Sequence, residues 1–208
     1  MTDAPVRLLL ADDQALVRGA LAALLDLEAD LTVVAQVGRG DEVLAAARAS
    51  AADVALLDVE MPGMDGITAA AELHHRLPAC RALIVTTFGR PGYLRRALDA
   101  GASGFVVKDT PAEQLADAVR RVHRGLRVVD PDLAIESLAV GTSPLTERER
   151  DVLVAAARGG TVADIARATF LSEGTVRNYL SAAMGKTGGR TRAEAARVAQ
   201  ENGWLLGG

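Results

Sequence analysis

Apolar residues in the first two thirds of the chain fall in short unbroken runs, separated by stretches in which they recur every three or four positions. The runs Val6 to Ala11, Leu31 to Val37, Val54 to Leu57, Ala82 to Val85 and Gly104 to Val107 are too short for helices. Their continuity marks strands buried on both faces. The helical period falls between them, at roughly Ala15 to Leu27, Asp41 to Ala49, Gly66 to Leu77, Pro91 to Ala100 and Ala112 to Arg124. Asp99-Ala-Gly101 and Arg124-Gly125 read as helix ends, and Pro91 and Pro111 stand where a first helical turn tolerates proline. Five strands alternating with five helices predict an α/β doubly wound domain on a five-stranded parallel sheet.

The stretch VVDPDLAIESLAVGTSP, residues 128–144, breaks this rhythm. Only helical patterns follow, at Thr146 to Ala157, Val162 to Ala168, Glu173 to Met184 and Arg192 to Glu201, and in SPLTERE Thr146 and Glu149 have the spacing of a capping box. The expected organisation is a first domain over residues 1–127, a linker over 128–143 and a small all-α domain over 144–208.

At 208 residues, 50% hydrophobic and 24% charged, the chain has the length for two cores. It has no run of about 18 apolar residues, and MTDAPVRLLLADD reaches acid too soon for a secretory segment, so a cytoplasmic protein without direct membrane association is expected. Cys80 is the only cysteine, which excludes an internal disulfide and a cysteine-based metal cluster. Residues 1–143 hold 14 Arg and Lys against 20 Asp and Glu, a net −6, whereas 144–208 hold 9 against 7, a net +2. Residues 174–192 carry Arg177, Lys186, Arg190 and Arg192 with no acid. Such a segment points to a polyanionic partner for that part alone, the alternative being a solvated helix face.

Ligands of an open parallel sheet bind beyond the carboxyl ends of its strands. There the chain places Asp12 and Asp13 after the first run, Asp58 after the third, Thr86 at the end of the fourth and Lys108 at the end of the fifth. Three carboxylates on one edge raise one another's pKa unless a cation compensates, and Mg²⁺ takes such oxygens together with waters and a phosphoryl group. Lys108 is one of two lysines among 23 Lys and Arg, and its compact ammonium is not interchangeable with an arginine fork. With the Thr86 hydroxyl it would complete a receptacle for a phosphoryl group on Asp58.

LLLADDQ, ALLDVEMPGMDG, VTT and AGASGFVVKD occur in that order, and residues 6–125 thereby resemble a response-regulator receiver domain. The resemblance implies that Asp58 is the phosphoacceptor, charged by a sensor histidine kinase. It implies that Asp13 ligates Mg²⁺ directly, that Asp12 acts mainly through water, and that the Glu60 backbone carbonyl adds a further oxygen. Thr86 and Phe105 match the family's switch pair. Asp109 departs from the pattern, since many receivers have proline after the lysine.

LTERERDVLVAAARGG and VADIARATFLSEGTVRNYLSAAMGKTGGRTRAEA resemble the LuxR-type helix-turn-helix of the NarL/FixJ subfamily, over residues 144–205. Val176, Tyr179, Leu180 and Ala183 form the inward stripe of the second helix of that motif, leaving Arg177, Asn178 and Ser181 outward. The resemblance places that outer face in the major groove of double-stranded DNA, with Thr175, Lys186 and Arg192 as phosphate contacts. Arg177 would bind guanine or a phosphate, and Asn178 adenine. The family often has a second basic residue at the Ser181 position. Thr187, Gly188 and Gly189 replace a usual Leu-Gly-Val, from which a looser last helix is expected. Within the subfamily, VEMPG, TTFGRPGYLRRAL, SEGTVRNYLS and ENGW look most like the DesR type, which implies a membrane-bound sensor kinase and a homodimer on activation.

Two other readings use the same residues. A Mg²⁺-dependent phosphohydrolase would need a second acid two residues after Asp58; Glu60 stands there but is expected to offer its carbonyl. A phosphorylation-independent DNA binder would need a missing site residue, and none is missing. The expectation is therefore a transcription regulator that is not an enzyme beyond slow autodephosphorylation.

Overall fold

The computed structural model describes residues 4–87, 91–130, 133–134 and 143–205, which form parts of two compact units. In the first unit, β1 (Val6–Ala11), β2 (Leu31–Val37), β3 (Val54–Leu57), β4 (Arg81–Thr86), β5 (Gly104–Val107) and β6 (Val128–Val129) make one sheet in the order β2-β1-β3-β4-β5-β6. Every pairing is parallel. The connections run through α1 (Ala15–Leu25), α2 (Val43–Ser50), α3 (Gly66–Arg76), α4 (Pro91–Asp99) and α5 (Ala112–His123). The sixth strand is an addition to the five expected. Val128 and Val129, assigned by sequence to the linker, pair with Gly104 and Phe105, because Val128 has a buried place against α5 and its N–H donates to Ser103 O at 3.0 Å. Residues 131, 132 and 135–142 of the expected linker lie outside the described residues.

The core on one sheet face joins Leu8, Leu10, Leu56, Leu83 and Val106 to Ala22 and Leu25 of α1 and Leu115, Val119 and Val122 of α5. A strand alternates its side chains, so Leu9, Leu57, Ile84 and Phe105, also buried, serve the other face, where α2 and α3 pack. Both faces are covered, and the strands accordingly read as unbroken apolar runs.

In the second unit, α6 (Glu147–Ala157), α7 (Val162–Thr169), α8 (Glu173–Thr187) and α9 (Arg192–Glu201) surround a core that includes Val152, Leu153, Ile165, Val176, Leu180, Ala195 and Ala199. Thr146 and Thr161 close capping boxes with Glu149 and Asp164, and Ser172 and Thr191 accept N–H bonds at the starts of α8 and α9. A Cβ at Gly189 would lie 2.5 Å from Ala195 N, so the glycine permits a close approach of α9 that a larger residue would prevent.

Candidate functional site

Three strand ends bring the predicted residues together. The Asp12 N–H donates to Val37 O at 3.2 Å at the end of β1, and the Asp58 N–H donates to Ala11 O at 2.9 Å at the end of β3. The Lys108 N–H donates to Thr86 O at 2.7 Å, which aligns the ends of β5 and β4. The backbone pairing thus carries the Asp12, Asp58 and Lys108 side chains to one edge.

Lys108 Nζ lies 2.7 Å from Asp12 Oδ2 and 3.0 Å from Asp58 Oδ2. The remaining carboxylate oxygens are held by backbone, since Asp12 Oδ1 accepts the Gln14 N–H and Asp58 Oδ1 accepts the Val59 N–H, both at 2.8 Å. Asp12 is 3% exposed and Asp58 6%, while Asp13 is exposed at the mouth. One carboxylate oxygen from each of Asp12, Asp13 and Asp58 falls within 4.8 Å of the others. Burial pushes the Asp58 carboxyl up, against the pull of Lys108, and the net displacement is upward. For Lys108 burial works downward, but contact with Asp12 and Asp58 outweighs it and the ammonium is held charged.

This pocket fits a hard divalent cation and an anionic group together. Three carboxylates face one ammonium, an excess of negative charge. Asp12 Oδ2 and Lys108 Nζ, though in ionic contact, are buried without an aligned hydrogen-bond partner, so each keeps capacity for a further ligand. Thr86 and Phe105 are buried at the end of β4 and in β5, and Glu60 is exposed in the turn after β3. Two contributors escaped the sequence reading. Arg18 of α1 reaches back so that Nη1 donates to the Asp12 carbonyl. A Cβ at Gly66 would lie 1.9 Å from Asp58 O, so the first residue of α3 must be glycine for the helix to abut the Asp58 loop.

In the second unit α8 turns Val176, Leu180 and Ala183 inward, with Tyr179 partly buried, and leaves Arg177, Asn178 and Ser181 exposed, as its spacing predicts. Thr175 is tied to the N-cap, its N–H donating to Ser172 Oγ at 3.1 Å. The basic side chains already have partners: Arg177 meets Glu173 at 2.6 Å, Lys186 meets Glu149 at 2.6 Å, and Arg192 Nη2 donates to Gly160 O at 2.8 Å. Sequence spacing gave no sign of the Lys186 and Glu149 contact, which joins residues 37 positions apart.

A doubly wound sheet with an acidic pocket and a lysine at its carboxyl edge, followed by a small all-helical unit, is the arrangement of a DNA-binding response regulator. Residues 8–120 match the response regulator receiver domain, and residues 143–199 match the bacterial regulatory proteins of the luxR family. The chain is 44% identical over 200 residues to the uncharacterized transcriptional regulatory protein YvfU of Bacillus subtilis (strain 168), covering 96% of this chain and 100% of that one. It is 40% identical to the transcriptional regulatory protein DesR of the same organism, over 96% and 99% of the two chains. Among solved structures, that of the response regulator ChrA of a heme-sensing two-component system superposes with a TM-score of 0.59 at 31% identity, over 96% of this chain and 98% of that one. The chain belongs to the response regulators of two-component systems that carry a LuxR-type DNA-binding domain. This is a family of transcription regulators, not of classical enzymes.

Proposed function

We propose that Asp58 accepts a phosphoryl group from a sensor histidine kinase and that the phosphorylated chain dimerises on DNA to regulate transcription. The observation that carries the reading is the placement of Lys108 Nζ against both Asp12 and Asp58 in a pocket with unsatisfied polar capacity. An Asp58 carboxylate oxygen attacks the phosphorus of the kinase phosphohistidine. The P–O bond forms, the P–N bond breaks, and its electron pair stays on the imidazole nitrogen, which takes a proton from solvent. Asp12, Asp13, Asp58 and the Glu60 carbonyl would hold Mg²⁺, which when bound neutralises charge on the carboxylates and the phosphoryl oxygens. Lys108 and the Thr86 hydroxyl then receive the phosphoryl oxygens, and Phe105 follows Thr86 as the second half of the switch. Slow hydrolysis of the acyl phosphate resets the site.

The kinase is membrane-bound in this reading and the regulator cytoplasmic. Among the described residues no helix is long and apolar enough to cross a membrane. Homodimerisation is supported by α1. Leu16, near the start of the helix, is 86% exposed, and Gly19, Ala20, Ala23 and Leu24 also face outward. The one charged residue of α1, Arg18, turns inward to Asp12. An outward face without charge suits a self-complementary two-fold contact. On the DNA side, Thr175, Arg177, Asn178 and Ser181 present the exposed face of α8 to the major groove, and Arg192 lies near the backbone.

Sedimentation of the purified chain with Mg²⁺, with and without beryllofluoride, tests the switch on wild type and Asp58→Ala. A mimic-dependent shift from monomer to dimer that the variant lacks is expected. Dimerisation that is unaffected by Asp58→Ala would overturn the assignment.

A further inference from the structure

A lysine on the DNA-facing helix of such a domain reads as a phosphate contact, and Lys186 carries that expectation. Its surroundings do not. Lys186 Nζ sits 2.6 Å from Oε2 of Glu149, a residue only 5% exposed. The same Oε2 accepts the Thr146 N–H at 2.7 Å, and Thr146 Oγ1 accepts the Glu149 N–H at 3.3 Å. One carboxylate oxygen therefore joins the N-cap of α6 to the last turns of α8.

Releasing Lys186 toward a phosphate would leave that buried carboxylate with the Thr146 N–H but without its counter-charge, a cost that opposes the exchange. As a unit the pair is neutral, so it displaces no counterion from DNA. The packing of α8 supplies an independent argument. Its fully buried side chains are Val176, Leu180 and Ala183, all before the last turn. Beyond them Met184 is only partly buried and Gly185 faces open space. The C-terminal end of the reading helix has little apolar hold on the domain, and the ion pair fastens it to α6.

We propose that Lys186 and Glu149 are a positioning pair that sets the angle of α8 on α6, and that Lys186 is not a phosphate ligand. The proposal rests on α8 being the DNA-reading helix. It makes an acidic residue, remote from the outer face of α8, a requirement for tight specific binding.

The test uses the full-length chain and two duplexes, one enriched from a random pool by the wild-type protein and one unrelated, with affinities measured by anisotropy over a range of salt. Lys186→Gln is expected to weaken the enriched duplex about tenfold, equivalent to about 1.4 kcal/mol, with the slope of log K against log salt unchanged. Glu149→Gln should weaken it similarly although it removes a negative charge, and the double variant should lose less than the product of the two. Binding to the unrelated duplex should barely move. A salt slope reduced by about 0.9 in Lys186→Gln, or tighter binding by Glu149→Gln, would overturn the proposal. If Glu149→Gln does not fold, Lys186→Gln and its slope decide alone. A wild-type chain that enriches no duplex would refute the DNA reading itself, a different result from either of these.

Discussion

Replacing Lys108 by Met removes the ammonium from a pocket of three carboxylates while keeping the length of the side chain. At 2.7 and 3.0 Å, each of its two contacts corresponds to roughly 5–6 kcal/mol of Coulomb attraction at an effective dielectric of 20. Much of that is offset by the desolvation of Lys108, whose side chain is 11% exposed. Removing one partner of a buried pair costs about 3–5 kcal/mol net. The exposed Asp13 admits water to the pocket, so we take about 3 kcal/mol, or roughly 10 °C in the unfolding of the receiver unit. The loss should depend on pH. Asp58 already has a raised pKa, by burial against the pull of Lys108, and without the lysine it rises further. A folded pKa above the unfolded 3.8 means that the folded chain binds the extra proton, so stability is greatest at low pH and declines as pH rises through the folded value. The variant should therefore be most damaged at neutral and alkaline pH. Mg²⁺ should stabilise Lys108→Met more than wild type, since the cation no longer competes with an ammonium for Asp12 and Asp58. Calorimetry with and without Mg²⁺ at two pH values reads both effects. Equal midpoints for the two proteins without metal, or a smaller Mg²⁺ shift in the variant, would refute the reasoning.

Gly66→Ala puts a methyl group on the Asp58 carbonyl and should cost about 1–3 kcal/mol and slow phosphate incorporation from acetyl phosphate; a gel assay showing wild-type labelling would count against the close approach. Leu16→Glu should take up phosphate normally yet remain a monomer with beryllofluoride in sedimentation, and a normal dimer would move the contact away from α1. Arg177→Ala should weaken DNA binding at matched salt, and unchanged affinity would remove Arg177 from the interface. In the helical unit, the Glu149 carboxyl is pushed up by burial but held below its usual 4.5 overall by Lys186 and the Thr146 N–H. Its contribution is present above 4.5 and lost as pH falls through the lower folded value. Fluorescence of Trp204, the sole tryptophan, should report acid unfolding of that unit, and Glu149→Gln should flatten the pH dependence.

The sheet was legible because parallel strands covered on both faces leave a simple mark, runs such as VRLLLA and VALL with no polar alternation. The pocket was legible because strand order brings the ends of β1, β3 and β5 to one edge. Arg18 and Gly66 were not, since their roles depend on which backbone carbonyl lies opposite, and nothing local to either residue encodes that. Val128 and Val129 were misassigned for a related reason. Two valines before Asp-Pro carry too little pattern to mark a strand, and only the free edge of β5 gives them a partner. At Gly189 the absent side chain suggested slack, whereas the backbone of Ala195 in α9 lies against it.

Both lysines of this arginine-rich chain meet buried carboxylates, although Lys108 is itself nearly buried and Lys186 is exposed. Lys108 meets Asp12 and Asp58, and Lys186 meets Glu149, each carboxylate at most 7% exposed at its side chain. Arginine is used differently. Arg120 grips Asp30 through Nε and Nη2, with Nη2 also on Glu28, and Arg39 forks onto Asp41, at sites open enough for a planar group. A guanidinium spreads its charge over a plane about as wide as a carboxylate and needs in-plane acceptors, whereas an ammonium fits into a gap one atom wide. In each place backbone N–H groups also hold the carboxylates, at Gln14 and Val59 on the oxygens turned away from Lys108, and at Thr146 on the same Oε2 that meets Lys186. Lysine is thus retained where a buried, backbone-held carboxylate leaves room for a point charge. The same rule covers the lysine of the acidic pocket and the lysine beside a helix cap.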